Sequence, residues 1–136
     1  MNIPGRSPAS LLTQALRFAV VGGAATLAHF AAMAALIMLQ WASPLIATFV
    51  GSLVGAAVAY WANRRHTFES DVPHARALPR HTVVVAGSIV LNALLFRLVH
   101  GSFEAPVWFA QGLATGLCMV FNFVASRQWV FNQRSL

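Results

Sequence analysis

Long apolar runs alternate with short polar stretches along this chain, and four of the runs are long enough to cross a lipid bilayer as helices. An α-helix needs about 20 apolar residues to span the hydrocarbon core of a membrane. The pattern therefore predicts an all-α polytopic membrane protein, with one domain over residues 1–136 that contains four transmembrane helices. The predicted spans cover residues 18–39, 45–62, 82–99 and 107–125.

The connections between these spans are short or polar. Residues 40–44 contain Trp41, a residue type that favours the membrane interface. Residues 63–71 are polar, and residues 101–106 are predicted to form a short loop that carries Glu104. A connecting segment is predicted after residue 71, and it contains Pro73, Arg76, Pro79, Arg80 and His81.

The amino-acid composition points to the same environment. Apolar residues make up 58% of the chain and charged residues only 9%, whereas a soluble domain carries about 25% charged residues. This charge is too little to cover a surface in water. The first apolar run is also longer than the apolar core of a signal peptide, about 7–15 residues, so it is interpreted as an uncleaved first span.

The arginines predict the orientation of the chain. The net charge is +6, the chain has no lysine, and eight of its nine arginines lie in the termini or the central connection. Arginine-rich connections stay in the cytoplasm, so both termini are predicted on the cytoplasmic side of the membrane. The eight are Arg6, Arg17, Arg64, Arg65, Arg76, Arg80, Arg127 and Arg134, and only Arg97 falls on the other side. Their placement between apolar runs favours contact with the lipid bilayer over binding of nucleic acid.

The two halves of the chain resemble each other at a spacing of 63 residues. This register predicts two parallel two-helix repeats. Substrate sites often lie between such repeats, although a duplicated scaffold without a site is the alternative. The matched pairs are Arg17 with Arg80, His29 with Asn92, Ser52 with Thr115, Asn63 with Ser126, Arg64 with Arg127, and Phe68 with Phe131.

Three stretches, at residues 17–26, 63–68 and 122–131, resemble the GtrA-like family of small four-helix bacterial membrane proteins. The resemblance extends from about residue 15 to residue 131. His66 departs from it, because an aromatic residue such as Trp129 is expected there. The resemblance implies a location in a bacterial inner membrane and a role in cell-surface polysaccharide synthesis. It implies movement of a polyprenyl-phosphate-linked sugar lipid to the outer leaflet, beside the membrane glycosyltransferase that makes it.

Basic and polar residues at the predicted cytoplasmic ends of the spans are candidates for binding the phosphate headgroup. A guanidinium offers several donors in a planar fork that suits phosphate oxygens. The alternative is that the arginines only set the orientation. The candidates are Arg17, Asn63, Arg64, Arg65, Arg80, Ser126 and Arg127.

A second set of polar residues lies within the spans, where such side chains should face the bundle interior. They could line a polar seam for the sugar, or simply bond to one another or to backbone. The set is His29, Ser52, Asn92, Thr115 and Asn122. Two small-residue stripes, Gly51-xxx-Gly55-xxx-Ala59 and Gly112-xxx-Gly116, predict close helix contacts within one chain or in a homo-oligomer.

The sequence contains no arrangement typical of an enzyme. It lacks a Ser/His/Asp set, paired carboxylates, a phosphate loop and a metal cluster, so neither catalysis nor a metal or other cofactor is predicted. The acidic residues Glu69, Asp71 and Glu104 are expected to be solvated, and Cys118 to be a small packing residue.

The predicted function is flipping of the sugar lipid, and the alternative is a scaffold or accessory subunit of the glycosyltransferase that transports nothing. A small multidrug exporter is disfavoured, because no carboxylate lies within a span to exchange protons.

Overall fold

A computed structural model describes residues 10–132, and this part of the chain is helical, without β-strands. The helices are α1 (Leu11–Met38), α2 (Pro44–Ala62), α3 (His74–Phe96) and α4 (Val107–Ala125). Each is long and apolar enough to cross a membrane. The predicted all-α fold with four transmembrane helices is therefore confirmed. Arg6 and Arg134, which contributed to the predicted orientation, lie outside the described residues.

Three of the helices end in a π-helical turn, in which backbone hydrogen bonds join residues five apart. The turns are Asn63–Thr67 after α2, Arg97–Ser102 after α3 and Ser126–Val130 after α4. Gly101 and Ser102 were predicted to lie in a loop, but they belong to the second of these turns. The polar segment at residues 63–67, likewise, continues the preceding helix.

The predicted connecting segment was wrong over most of its length, because α3 begins at His74 and contains Arg76, Pro79, Arg80 and His81. Similarly, α1 begins at Leu11, seven residues before the predicted span. Hydropathy marks where a helix enters hydrocarbon, whereas its first turns at headgroup depth can be polar. Pro79 has no N–H to donate within the helix. Proline is therefore uncommon inside helices, which is why this segment was predicted to be a connection.

Residues on α2 and α4 face the preceding helix through small side chains. The chain divides into two compact units, unit 1 (Met1–Glu69) and unit 2 (Ser70–Leu136). In unit 1, Gly51 and Gly55 lie against α1: a Cβ on Gly51 would come within 2.7 Å of the His29 carbonyl oxygen. In unit 2, Ala114 and Cys118 are buried at the corresponding places. Small residues thus allow close helix packing inside each unit.

Gly112 and Gly116 make no such contact within residues 10–132, while their contact in a homo-oligomer stays a prediction. A Cβ added to either glycine would meet no heavy atom within 4 Å. The buried stripe of α4 consists instead of Ala110, Ala114 and Cys118. These residues lie on nearly the opposite side of the helix, because a shift of two residues turns an α-helix by about 200°. The Gly51 and Gly55 stripe packs within unit 1 as predicted.

Most large apolar side chains point away from the interior of the structure. Val20, Leu27, Phe49 and Ile89, on three different helices, are each at least 65% exposed. Soluble proteins rarely expose continuous apolar surface of this kind. Together with the length of the helices, this exposure indicates a multi-pass membrane protein whose helices face lipid.

The element boundaries recur at the spacing of the sequence repeat. Helices α1 and α3 begin 63 residues apart, at Leu11 and His74. Helices α2 and α4 start and end with the same offset, and so do the π-turns that follow them. The matching boundaries agree with the proposed register, while the arrangement of the two units in a membrane stays a prediction.

Candidate functional site

The π-turn after α2 is fixed by two hydrogen bonds to one residue. The Phe68 N–H donates to the carbonyl oxygen of Asn63 at 2.9 Å. The Thr67 hydroxyl donates to the Asn63 side-chain oxygen, also at 2.9 Å. Asn63 and Thr67 are both buried. Asn63, a predicted headgroup ligand, therefore holds the turn that carries Arg64, Arg65 and His66.

Arg17 of α1 reaches this turn from the neighbouring helix. Its Nη1 donates to the carbonyl oxygen of His66 at 3.0 Å and to Oε1 of Glu69 at 3.1 Å. Glu69 is exposed, as expected, and it also forms an ion pair with Arg17 in which both side chains are 43% exposed. The φ angle of Glu69 is 46°, in the left-handed region that non-glycine residues rarely adopt.

An open cavity of about 560 Å³ lies beside this ion pair. It is lined by Arg17, Arg65, His66 and Glu69, so two arginines and one glutamate border the same space. The structure thus brings together two of the predicted phosphate ligands, Arg17 and Arg65. Glu69 is a third charged member that the sequence did not assign to the site.

Arg64 is held differently from Arg65, although the two are adjacent. It is half-buried and forms a hydrogen bond with the side chain of Tyr60, one turn earlier in α2. Arg64 is not among the residues that line the cavity. Of the two arginines of this turn, Arg65 is therefore the one placed beside Arg17.

Unit 2 repeats the backbone part of this arrangement. Nη1 of Arg80 donates to the carbonyl oxygen of Trp129 at 2.8 Å, as Arg17 does to that of His66. The Phe131 N–H donates to the carbonyl oxygen of Ser126 at 2.9 Å, and Ser126 is buried. In each unit, an arginine of the first helix thus donates to a carbonyl oxygen of the π-turn that follows the second helix. We call this contact the arginine clamp.

The side chains around the two clamps are different. The Arg80 guanidinium lies 5.7 Å from the ring centroid of Trp129, a distance at which a cation is attracted to an aromatic face. The positions that match Arg65, His66 and Glu69 hold Gln128, Trp129 and Asn132. The aromatic ring expected at His66 is therefore not needed for the clamp, because the acceptor is the backbone carbonyl.

The clamps also coincide with the limits of a match to a known family. The profile of the GtrA/DPMS transmembrane domain matches residues 17–131, from the first clamping arginine to the residue that closes the last π-turn. This match covers most of the chain. The chain belongs to the GtrA/DPMS transmembrane domain family. No solved structure matches it.

In this GtrA/DPMS domain, the polar residues of the first two spans contact each other. The Ser52 hydroxyl lies 3.5 Å from Nδ1 of His29, and it also donates to the Thr48 carbonyl oxygen at 2.9 Å. The two predicted seam residues of unit 1 are thus neighbours on facing helices.

The matched residues of unit 2 are joined through a residue that the sequence analysis missed. Nε2 of Gln111 donates to Asn92 Oδ1 at 3.3 Å and to Thr115 Oγ1 at 3.0 Å. Gln111 could have been found as a glutamine within an apolar span, 63 residues after the polar Thr48. Gln111 places Asn92 and Thr115 in one polar group.

Asn122 belongs to a separate polar contact in the same domain. Its Nδ2 donates to the Ser88 hydroxyl at 2.8 Å, while its buried Oδ1 has no hydrogen-bond partner in the described part of the chain. Cys118, one turn earlier, is buried, with Sγ 3.6 Å from the Ser88 carbonyl oxygen. Among residues 10–132, no three His, Cys, Asp or Glu residues group closely enough to hold a metal ion.

Proposed function

We propose that this protein moves a polyprenyl-phosphate-linked sugar across the bacterial cytoplasmic membrane during cell-surface polysaccharide synthesis. The observation that carries the proposal is a cavity lined by two arginines at the end of a membrane-spanning helix pair, in a chain of the GtrA/DPMS family. Guanidinium groups bind phosphate oxygens through charge-assisted hydrogen bonds. The ligand they fit is therefore a phosphate headgroup at the membrane surface.

On the proposed path, the lipid-linked sugar contacts the two sets of polar residues one after the other. Arg17 and Arg65 bind the phosphate at the cytoplasmic surface, in the orientation that the arginine distribution predicts. The sugar then exchanges hydrogen bonds with the polar residues of the spans, such as His29 and Ser52, while the prenyl tail stays in lipid. Four helices enclose little volume, so a homo-oligomer would provide a wider path. A membrane glycosyltransferase would supply the lipid-linked sugar.

A scaffold that supports the glycosyltransferase without transport is the second candidate. It is favoured by the hydrogen bonds that the polar residues of the spans make inside their own unit, as in the Asn92, Gln111 and Thr115 group. Side chains that satisfy one another hold helices together without needing a ligand. Transport and scaffolding predict opposite results in purified vesicles.

The test is transfer of a labelled polyprenyl-phosphate-linked sugar between leaflets of vesicles that contain only this protein. We expect transfer faster than in protein-free vesicles. In Arg65→Gln, which introduces the residue type found at the matched position 128, the rate should fall by about tenfold, because a charge-assisted hydrogen bond is lost. Arg97→Gln is the matched control and should transfer at the original rate.

One outcome would decide against transport, and another against the cavity as the headgroup site. If the vesicles show no acceleration, direct translocation is refuted, and co-purification with a glycosyltransferase would then support the scaffold. If Arg65→Gln and Arg97→Gln lower the rate equally, the loss reflects general charge, and the cavity is not the headgroup site.

A further inference from the structure

The carboxylate of Glu69 occupies a position beside Arg17 that suits an anionic ligand. Its Oε1 lies 3.1 Å from Nη1 of Arg17, and both side chains line the cavity that Arg65 also faces. The arginine fork presents donors to carboxylate and phosphate oxygens in similar geometry. Glu69 thus makes, from within the chain, the contact that a phosphate group would make.

The backbone at Glu69 is better suited to a different residue. Its φ of 46° follows the end of a helical turn, where the left-handed conformation is usually adopted by glycine or asparagine. A glutamate there gains no conformational advantage. Among the contacts of this side chain is an ion pair with Arg17.

The ion pair is also easy to exchange. Both side chains are 43% exposed, and exposed ion pairs contribute little to stability because water and salt screen them. A second arginine, Arg65, also lines the cavity. A phosphate group that contacted both arginines would therefore make more charge-assisted bonds than the single carboxylate it replaced.

Unit 2 lacks this combination at the matched positions. Gln128 stands in place of Arg65 and Asn132 in place of Glu69, and Arg80 lies over the Trp129 ring. The clamp on the backbone carbonyl is nevertheless kept. The carboxylate and the second guanidinium are thus not required to build the turn, which separates them from the purely structural parts.

We propose that Glu69 is a displaceable counter-anion. It pairs with Arg17 when the site is empty, and it is released when a phosphate group binds between Arg17 and Arg65. Because Glu69 competes for Arg17, it weakens the binding of every anion to this site. Anions that bind weakly therefore occupy the site less often. The choice of phosphate as ligand rests on the proposed function.

The test measures binding of polyprenyl phosphate, phosphatidylglycerol and inorganic phosphate to the purified full-length protein in detergent at physiological salt. Native mass spectrometry counts the bound lipids, and competition titration gives the Kd. In Glu69→Gln the Kd for polyprenyl phosphate should fall by about two- to fivefold, the factor that corresponds to an exposed ion pair. Glu69→Asn, which tolerates the left-handed backbone, should give the same shift, so a folding defect in one variant does not decide the result.

Two further variants serve as controls. Asp71→Asn removes an exposed carboxylate from the same segment and should leave the Kd unchanged, which separates competition from general charge. Arg65→Gln should raise the Kd by about tenfold. If inorganic phosphate competes with the lipid, the site accepts the free anion. If it does not compete, the site is restricted to lipid headgroups, and either result agrees with a displaceable Glu69.

An unchanged or higher Kd in both Glu69 variants would overturn the proposal. An equal fall of the Kd in Asp71→Asn would overturn it as well. The outcome is independent of the transport assay. A protein that binds more tightly after Glu69→Gln but transfers no lipid would refute the proposed function and leave the counter-anion in place. A protein that transfers lipid but whose Kd does not change in the Glu69 variants would support the proposed function and refute the counter-anion.

Discussion

At the scale of single residues, Gly51 shows how closely α1 and α2 approach each other. A Cβ at this position would lie 2.7 Å from the His29 carbonyl oxygen and 3.3 Å from the Cβ of Met33. The first of these neighbours is backbone, which cannot rotate away as a flexible side chain can. In a membrane, where apolar burial does not drive helices together, such close packing is a main source of stability.

Gly51→Ala is therefore expected to destabilise the protein by about 1–3 kcal/mol, the usual cost of overpacking a tight contact. The matched control is Gly112→Ala, where a Cβ meets no atom within 4 Å and stability should not fall. Thermal unfolding in detergent, followed by loss of the monodisperse peak, measures both. Equal midpoints for the two variants would contradict the close approach of α1 and α2.

At the scale of elements, the π-turns after α2 and α4 place different residues at their matched buried positions. The turn after α2 pairs Thr67 with Asn63 through a buried hydrogen bond. The turn after α4 has the buried residues Val130 and Ser126 at the matched positions. The same type of turn is thus formed in two ways. The turn after α2 has a side-chain hydrogen bond between the two matched positions, and the turn after α4 has none, because the side chain of Val130 has no donor.

Thr67→Val should destabilise the protein by about 1–3 kcal/mol, because the buried Asn63 side-chain oxygen loses its donor. Adding Asn63→Ser, which reproduces the pair found after α4, should recover about 1 kcal/mol of this loss. Unfolding midpoints of the wild type, both single variants and the double variant complete the cycle. Additive losses would show that the two side chains do not depend on each other.

The elements also show what the sequence could and could not predict. The four spans and the spacing of the repeat were visible in hydropathy and in matched polar residues. The early start of α3 was not, because Arg76, Pro79 and Arg80 lie outside the apolar window that marks a span. The π-turns were not predicted either, since no residue type marks an extra residue in a helical turn.

The candidate site was predictable only in part. The arginines at the helix ends were evident from the sequence, and the structure places Arg17 and Arg65 around one cavity. The pairing of Arg17 with Glu69 joins residues 52 positions apart, a separation at which sequence pattern carries no information on contact. Gln111 was overlooked because a single amide in a long apolar run barely changes the local hydropathy.

At the scale of the whole molecule, the account depends on the sidedness of the helix ends. Each unit carries one arginine clamp, at the end of α2 or of α4. If α1 to α4 each cross the membrane once, these two ends lie on the same face and the turn after α3 lies on the other. A headgroup can enter from the cytoplasmic leaflet only if the clamp of unit 1 faces the cytoplasm.

The most direct test is labelling of single cysteines with a membrane-impermeant thiol reagent in a Cys118→Ser background. We expect Asp71→Cys and Gln128→Cys to react only from the cytoplasmic side, in inverted vesicles. Ser102→Cys should react only from the outer side, in intact cells. Reaction of positions 71 and 102 from the same side would contradict four membrane crossings with clustered arginines, and with them the route proposed for the lipid.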